Sequence, residues 1–388
     1  MPARILAIAA GGAVLALAGT GSAFAQDTIK IGFVHSMTGN LAQVGRQARD
    51  GARLYMQLNG DTVAGKKILF IVKDDTSSPD MARRLAQELI VNEKVQLLAV
   101  GITPVALAIA PLATEAKMAT VVMTSGTSVV VERSPYYVRT SFTLGQQAGI
   151  IGEWAAANGI KKAAIVQADW APGAEATAVF TAAFSKAGGS VLETMKVPLA
   201  NPDYSPFIQR AADAKPDAIF AYPSSQAGIF FKQFKERGLD KAGMKVIGPG
   251  DVTDDDDLPG MGDEALGIVT AGIYSTSHNS AVNKAYVEAF RKAYNYRPGF
   301  VTLGGYDGMH LIYEALKKTE GKTDGDALVA AMKGMKWESP RGPMSIDPET
   351  RDLVHNIYLR RVERGTNNEL WNAEFATYEA VKDPLHKK

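Results

Sequence analysis

The chain has no cysteine. That excludes disulfides and thiolate metal sites, and it removes the lipid-modified cysteine by which an exported protein can be tethered to a membrane. Neither sign of charge prevails: 42 Lys and Arg, scattered along the chain, stand against 41 Asp and Glu. No surface is therefore marked out for nucleic acid or anionic lipid. The five histidines, His35, His278, His310, His355 and His386, are far apart in sequence. None pairs at metal-ligand spacing, and none adjoins a Ser, Asp or Glu arrangement that suggests a triad. No G-x-G-x-x-G or phosphate loop follows a strand. These absences predict no enzyme, no metal and no bound cofactor. Beyond residue 25 no apolar run reaches the roughly 18 residues a membrane span needs, which predicts a soluble mature chain.

What is present begins with an export signal. Arg4 supplies a positive start, Ile5 to Ala18 an apolar stretch, and Ala23-Phe24-Ala25 a small-x-small cleavage site, so residues 1–25 read as a signal peptide and Gln26 as the mature start. Cleavage would remove Arg4 and leave the charges balanced at 41 each. A neutral protein has no long-range field with which to steer an ionic ligand.

Gly101 to Ser128 organises the rest. Gln96 to Val100 reads as a core strand, Thr103 and Pro104 as an N-cap with proline at the first helical position, and Val105 to Ala116 as a helix. The short apolar run Ala119 to Met123 suits a parallel strand buried on both faces, and Thr124-Ser125-Gly126-Thr127-Ser128 follows it directly. In an open α/β sheet the ligand crevice lies beyond the carboxyl ends of the strands. Both hydroxyl-bearing loops are therefore expected in one cleft, where amides and hydroxyls can hold a carboxylate without a basic side chain. The plainer alternative is that Thr103 only caps a helix while Thr127 and Ser128 only shape a turn.

Strand and helix alternate on either side of this stretch. Ile29 to Ser36, a helix to Asn59, Lys67 to Lys73 and a helix from Pro79 precede it. From Lys162 the alternation restarts with strands at 163–167, 191–197, 218–222 and 245–248, the signature of a second doubly wound lobe. Polar loops again follow the strands. Trp170 sits in one of them, which favours a cleft wall over core packing; for Tyr222, at a strand end, both readings stay open. Asp74-Asp75 lacks a histidine to complete a metal site. Asp254 to Asp257 reads most simply as a solvated acidic loop. Trp337 to Pro343 reads as a turn-rich link, and Ile357 to Val362 as the last strand.

Together, several motifs resemble the periplasmic solute-binding proteins of ABC importers, in the branched-chain amino acid binding group. They are Ile29-Lys30-Ile31-Gly32, Thr38-Gly39, Gly51-Ala52, Asn59-Gly60, Asp74-Asp75 with Pro79, Asp203-Tyr204 with Phe207-Ile208, Gly248-Pro249, Gly305-Tyr306-Asp307 and Gly342-Pro343. The resemblance spans nearly the whole mature chain. It implies two doubly wound α/β lobes joined by three crossovers, near Ser141, Ala271 and Asp347, that close on a ligand by a hinge. The lobes would comprise 26–142 with 274–346, and 143–273 with 347–388. It further implies that Thr103, Pro104, Val105, Thr127 and Ser128 hold a ligand carboxylate, that Trp170 and Tyr222 face it from the second lobe, and that the chain is a monomer serving an inner-membrane permease and ATPase. Amino-acid-binding relatives pair the ligand ammonium with a glutamate after the Gly-Pro pair. Here Gly250 stands at that position and Asp251 follows. A buried unpaired ammonium costs several kcal/mol, so unless Asp251 reaches the ligand, a plain apolar or aromatic carboxylate is favoured over an amino acid. A periplasmic sensor of the same fold, signalling to a membrane receptor, is the alternative function.

Overall fold

The structure is a computed structural model that describes residues 1, 28–223, 227–365 and 368–386; the expected signal peptide and mature start lie outside them. The elements in order are β1 (Thr28–His35), α1 (Ala42–Asn59), β2 (Thr62–Val63), β3 (Lys66–Asp74), α2 (Pro79–Val91), β4 (Leu97–Val100), α3 (Thr103–Glu115), β5 (Thr120–Val122), β6 (Tyr137–Arg139), α4 (Leu144–Ala157), β7 (Lys162–Ala168), α5 (Ala171–Lys186), β8 (Ser190–Val197), α6 (Ser205–Asp213), β9 (Ala218–Tyr222), α7 (Ala227–Glu236), β10 (Lys245–Pro249), α8 (Leu258–Met261), β11 (Val269–Gly272), α9 (Ala281–Tyr294), α10 (Phe300–Lys318), α11 (Gly325–Met332), β12 (Lys336–Ser339), β13 (Gly342–Ile346), β14 (Leu353–Arg364) and β15 (Leu370–Val381).

Two sheets form. The first has order β2-β3-β1-β4-β5-β6 and is parallel except for β2. The second runs β12-β13-β14-β11-β10-β9-β7-β8, with β15 added to β14. Its β8-β7-β9-β10-β11 part is parallel. Strand order reverses at β1 and β4 in the first sheet and at β7 and β9 in the second, and ligands sit beyond the carboxyl ends of strands at such points. The loops after β4, β5, β7, β9 and β10 are the ones singled out above.

Completely buried apolar residues explain the central strands. Leu97, Leu98, Ala99 and Val100 of β4 and Val121 and Val122 of β5 are all at 0% exposure, as strands covered by helices on both faces must be. The strands expected up to β10 appear to within a residue or two, while the one expected at Ile357 to Val362 runs from Leu353 to Arg364 as β14.

The later chain departs from the sequence reading in three places. The segment 336–346 is a β-hairpin, β12–β13, that continues the second sheet rather than a bare link, while Met344 and Ile346 pack into the apolar core beside β1 and α10. β14 is not the last strand. β15 pairs along its length as an edge strand; Asn372, Glu374, Thr377 and Glu379 interrupt its apolar residues, and only Leu370 and Asn372 are buried. Thirdly, α10 begins at Phe300, so Gly304-Gly305 lies inside the helix. The glycines serve close approach: a Cβ on Gly305 would stand 1.9 Å from the Ala48 carbonyl of α1, and one on Gly304 1.9 Å from that of Met123. Gly305→Ala is expected to cost roughly 1–3 kcal/mol through overpacking, read as a lower denaturant midpoint at unchanged slope.

The crossovers are tied down by two buried arginines. Arg341, at 1% exposure, pairs with Asp307 at 2.9 Å and donates to the carbonyls of Thr140 and Ser141 in the first crossover. Arg139 donates to the carbonyls of Ser125, Phe142, Thr127 and Ser128 and pairs with Asp352 of the third crossover at 2.9 Å. One guanidinium thus fixes both the loop after β5 and two of the segments that join the lobes.

Candidate functional site

A cavity of about 330 Å³ lies between the two sheets, among Thr103, Thr124, Gly126, Phe142, Trp170, Tyr222, Asp251, Asp254, Phe300 and the α1 side chains Gln43 and Gln47. Its first-lobe end is built of hydroxyls. Thr103 is not the N-cap of α3; that is Ile102, and Pro104 follows Thr103 in the first turn. Freed from capping, Thr103 Oγ1 bonds Ser125 Oγ at 2.8 Å and Thr127 Oγ1 at 2.9 Å. The expected hydroxyl loops therefore do meet. Thr124 adds a donor of defined direction. The Ser36 amide donates to Nδ1 of His35, so the ring proton sits on Nε2, which bonds Thr124 Oγ1 at 2.8 Å. With its oxygen accepting from His35, the Thr124 hydroxyl can give its own hydrogen to a ligand oxygen. Burial lowers the pKa of His35 to about 3, so this polarity holds throughout the neutral range. Gly101 makes room for the ring: a Cβ there would stand 2.4 Å from it.

The far end belongs to the second lobe and is acidic. Asp251, Asp254, Asp256 and Asp257 all line the cavity. Asp254 and Asp255 are buried, at 4% and 0% exposure, which overturns the solvated-loop reading. The loop turns inward because its carboxylates find fixed donors. Asp254 accepts from the Phe300 amide at the start of α10. Asp255 accepts from Thr276 and Asn372 beside Arg297 and Arg360. Burial raises the pKa of Asp251 to about 6 against the pull of Arg360, and burial together with the neighbouring Asp256 charge raises that of Asp254 well above the usual range.

Position 250 has no space for a glutamate. A Cβ there would stand 2.6 Å from Gly272 and 2.8 Å from the Arg360 guanidinium, and the Gly250 amide and carbonyl are taken by Gln147 and Arg360. Asp251 is the residue that reaches the cavity. Its ionised form is penalised by burial, so its contribution to stability is best below its ordinary pKa of 3.8 and is lost as pH rises through about 6. Asp251→Asn is expected to stabilise the protein at pH 7.5 by about 3 kcal/mol and to change little at pH 4, which melting curves at the two pH values test.

Apolar side chains form the waist. Trp170, Phe142, Phe300 and Tyr222 surround it, with Phe142 and Phe300 edge to face at 5.0 Å between ring centres. The indole Nε1 of Trp170 is buried without a hydrogen-bond partner. An orphaned donor costs about 1–3 kcal/mol, which a ligand acceptor would recover.

The remaining expected residues sit differently. The Val105 side chain is at 0% exposure in the core between α3, α2 and β1, so it offers a ligand no surface, and neither Val105 nor Pro104 lines the cavity. The α3 first-turn amides remain outside the helix ladder. Thr127 stands behind Thr103 rather than at the cavity surface. Ser128 is engaged elsewhere: its amide and hydroxyl donate to Glu175 of α5 in the second lobe at 2.9 to 3.1 Å. A second bridge joins Gln43 and Gln47 to Asp256 and Asp257. The two bridges hold the lobes together beside the cavity.

Sequence reasoning missed Gln43, Gln47, Asp254, Asp256 and Asp257, and placed Thr124 in the cleft loop without choosing it. Gln43 and Gln47 are four apart on α1 just beyond the Thr38–Asn40 loop, a helical spacing that put them on one face. Asp74 and Asp75 bind no second cluster; they accept from Met37, Thr38, Thr76, Ser36 and Ser77 and hold two loops in shape.

The family model described as periplasmic binding protein matches the chain over residues 28–367. The chain belongs to the periplasmic binding protein family. Among curated relatives, Leu/Ile/Val-binding protein homolog 6 of Brucella suis is 40% identical over 370 residues, covering 94% of this chain and 95% of its own. An ABC-transporter solute-binding protein of Rhodopseudomonas palustris BisB5, solved with 3,4-dihydroxybenzoic acid, is 61% identical with a TM-score of 0.90, covering 92% of this chain and 99% of its own. Another, from R. palustris HaA2 with p-hydroxybenzoic acid, is 40% identical with a TM-score of 0.88 over 92% of this chain and 99% of its own. This periplasmic binding protein is accordingly a solute-binding component of an ABC transporter and not an enzyme. Among the described residues no helix is long and apolar enough to cross a membrane.

Proposed function

We propose that this protein captures a hydroxylated aromatic carboxylate in the periplasm and delivers it to an inner-membrane permease and its ATPase. The observation that carries the reading is the polarity of the cavity, with neutral hydroxyl donors at one end and carboxyls at the other. An anionic carboxylate is repelled by the acidic end, so it docks at Thr103, Thr124 and the free amides of α3, where donors meet it without a counter-charge. Ring hydroxyls then point to Asp251, Asp254 and Asp256, which can accept from them. The ring itself fills the waist against Trp170, Phe142 and Phe300. Similarity to the R. palustris BisB5 protein solved with 3,4-dihydroxybenzoic acid supports the same choice.

The second reading is a branched-chain amino acid, favoured by the position of Asp251 in the cavity wall and by the Brucella relatives. A receptor-coupled sensor has no observation of its own in favour. The lobes we assign are 26–142 with 274–346 and 143–273 with 347–388, the hairpin 336–346 bridging them. The mature chain starts at Gln26 and acts as a monomer. A ligand that binds only the folded state raises the melting temperature. In a thermal-shift panel, 3,4-dihydroxybenzoate and 4-hydroxybenzoate are expected to stabilise the protein and leucine, isoleucine and valine to leave it unchanged; the reverse pattern would establish the amino-acid reading.

A further inference from the structure

Away from the cavity, Asp352 of the third crossover converges with Asp383 and His386, three residues apart near the end of the chain. Asp352, Asp383 and His386 each bring one ligand-type atom within 4.8 Å of the others, with both aspartates buried. Asp352 Oδ1 is committed to Arg139 and the Leu353 amide, which leaves Oδ2 facing His386 Nε2 at 2.7 Å. Asp383 Oδ2 is the telling atom. Its side chain is at 0% exposure and lies 3.7 Å from the same Nε2, yet that oxygen has no hydrogen-bond partner. One imidazole proton on Nε2 serves one oxygen and leaves the other orphaned. The outer nitrogen, Nδ1, is held by Glu132 Oε1 at 3.2 Å, the arrangement in which a carboxylate fixes the ring so that Nε2 can coordinate a metal.

We propose that Asp352 Oδ2, Asp383 Oδ2 and His386 Nε2 form a site for one divalent cation of the zinc type. Mixed imidazole and carboxylate donors suit zinc, and three protein ligands leave a fourth position for water. Tetrahedral bonds of about 2 Å set ligand atoms about 3.3 Å apart, so Asp352 Oδ2, now 2.7 Å from Nε2, must draw back and Asp383 Oδ2, now 3.7 Å from it, must approach, each by a fraction of an ångström. A dication balances the two carboxylates, displaces the Nε2 proton and satisfies the orphaned oxygen. It ties the segment after β15 to the crossover that also anchors Arg139.

The test is calorimetric titration of zinc chloride into EDTA-treated protein, with cobalt(II) absorption as a second reading of coordination geometry. Expected are one zinc per chain and a visible tetrahedral cobalt band, with binding at least about tenfold weaker in His386→Gln and Asp383→Asn and about 10–100-fold weaker in Glu132→Gln. Melting of each variant in EDTA establishes that it folds. Absence of zinc heat and of the cobalt band in the wild-type protein would overturn the proposal and leave a protonated His386 paired with carboxylates. Zinc binding unchanged in both His386→Gln and Asp383→Asn would overturn it too.

Discussion

Trp170→Ala is expected to weaken binding of a hydroxybenzoate by about 100-fold or more. The indole supplies one face of the cavity waist, and truncating a buried aromatic anchor typically costs 2–4 kcal/mol. Its Nε1 hydrogen, unpartnered in the ligand-free protein, adds a second contribution that can be separated. Trp170→Phe keeps an aromatic wall and loses the donor, so its deficit is expected to be roughly tenfold. Isothermal titration of both variants measures the two effects. Melting temperatures close to wild type would show that the loss is in the site, since Trp170 stands in a half-buried turn at the start of α5 rather than in the central core.

Arg139→Met is expected to destabilise the protein by about 3–5 kcal/mol, the usual cost of breaking a buried ion pair from one side. Asp352 is left without its guanidinium, and four carbonyls, those of Ser125, Phe142, Thr127 and Ser128, lose their donor at once. The consequence reaches function through the same bonds. The loop carrying Ser125 and Thr127 loses the support that turns its hydroxyls to Thr103, so ligand affinity falls together with stability. Chemical denaturation reads the first effect and ligand titration at low temperature, where the variant is folded, reads the second.

Architecture was legible because each lobe alternates strand and helix, and because β4 and β9, one strand at each switch point, are short and wholly apolar. β15 escaped because Asn372, Glu374, Thr377 and Glu379 interrupt its apolar residues, and the β12–β13 hairpin because Pro340-Arg341-Gly342 reads as a turn whether or not strands flank it. In the site, Thr103, Trp170, Tyr222 and Asp251 could be chosen from their places at strand ends. Asp254 to Asp257 could not: four consecutive carboxylates look solvated until Phe300, Thr276, Asn372, Arg297 and Arg360 arrive from 21 to 117 residues away. The Val105 side chain turns into the core instead, since a position at a helix start says nothing about which way an apolar side chain turns.

The most direct measurement is isothermal titration of the mature protein, residues 26–388, with 3,4-dihydroxybenzoate and, separately, with leucine. A cavity with hydroxyl donors at one end, carboxyls at the other and aromatic walls between predicts one dihydroxybenzoate per chain, bound in the micromolar range or tighter, and no heat with leucine. One leucine per chain with no response to dihydroxybenzoate would contradict that account and assign Asp251 to an ammonium group.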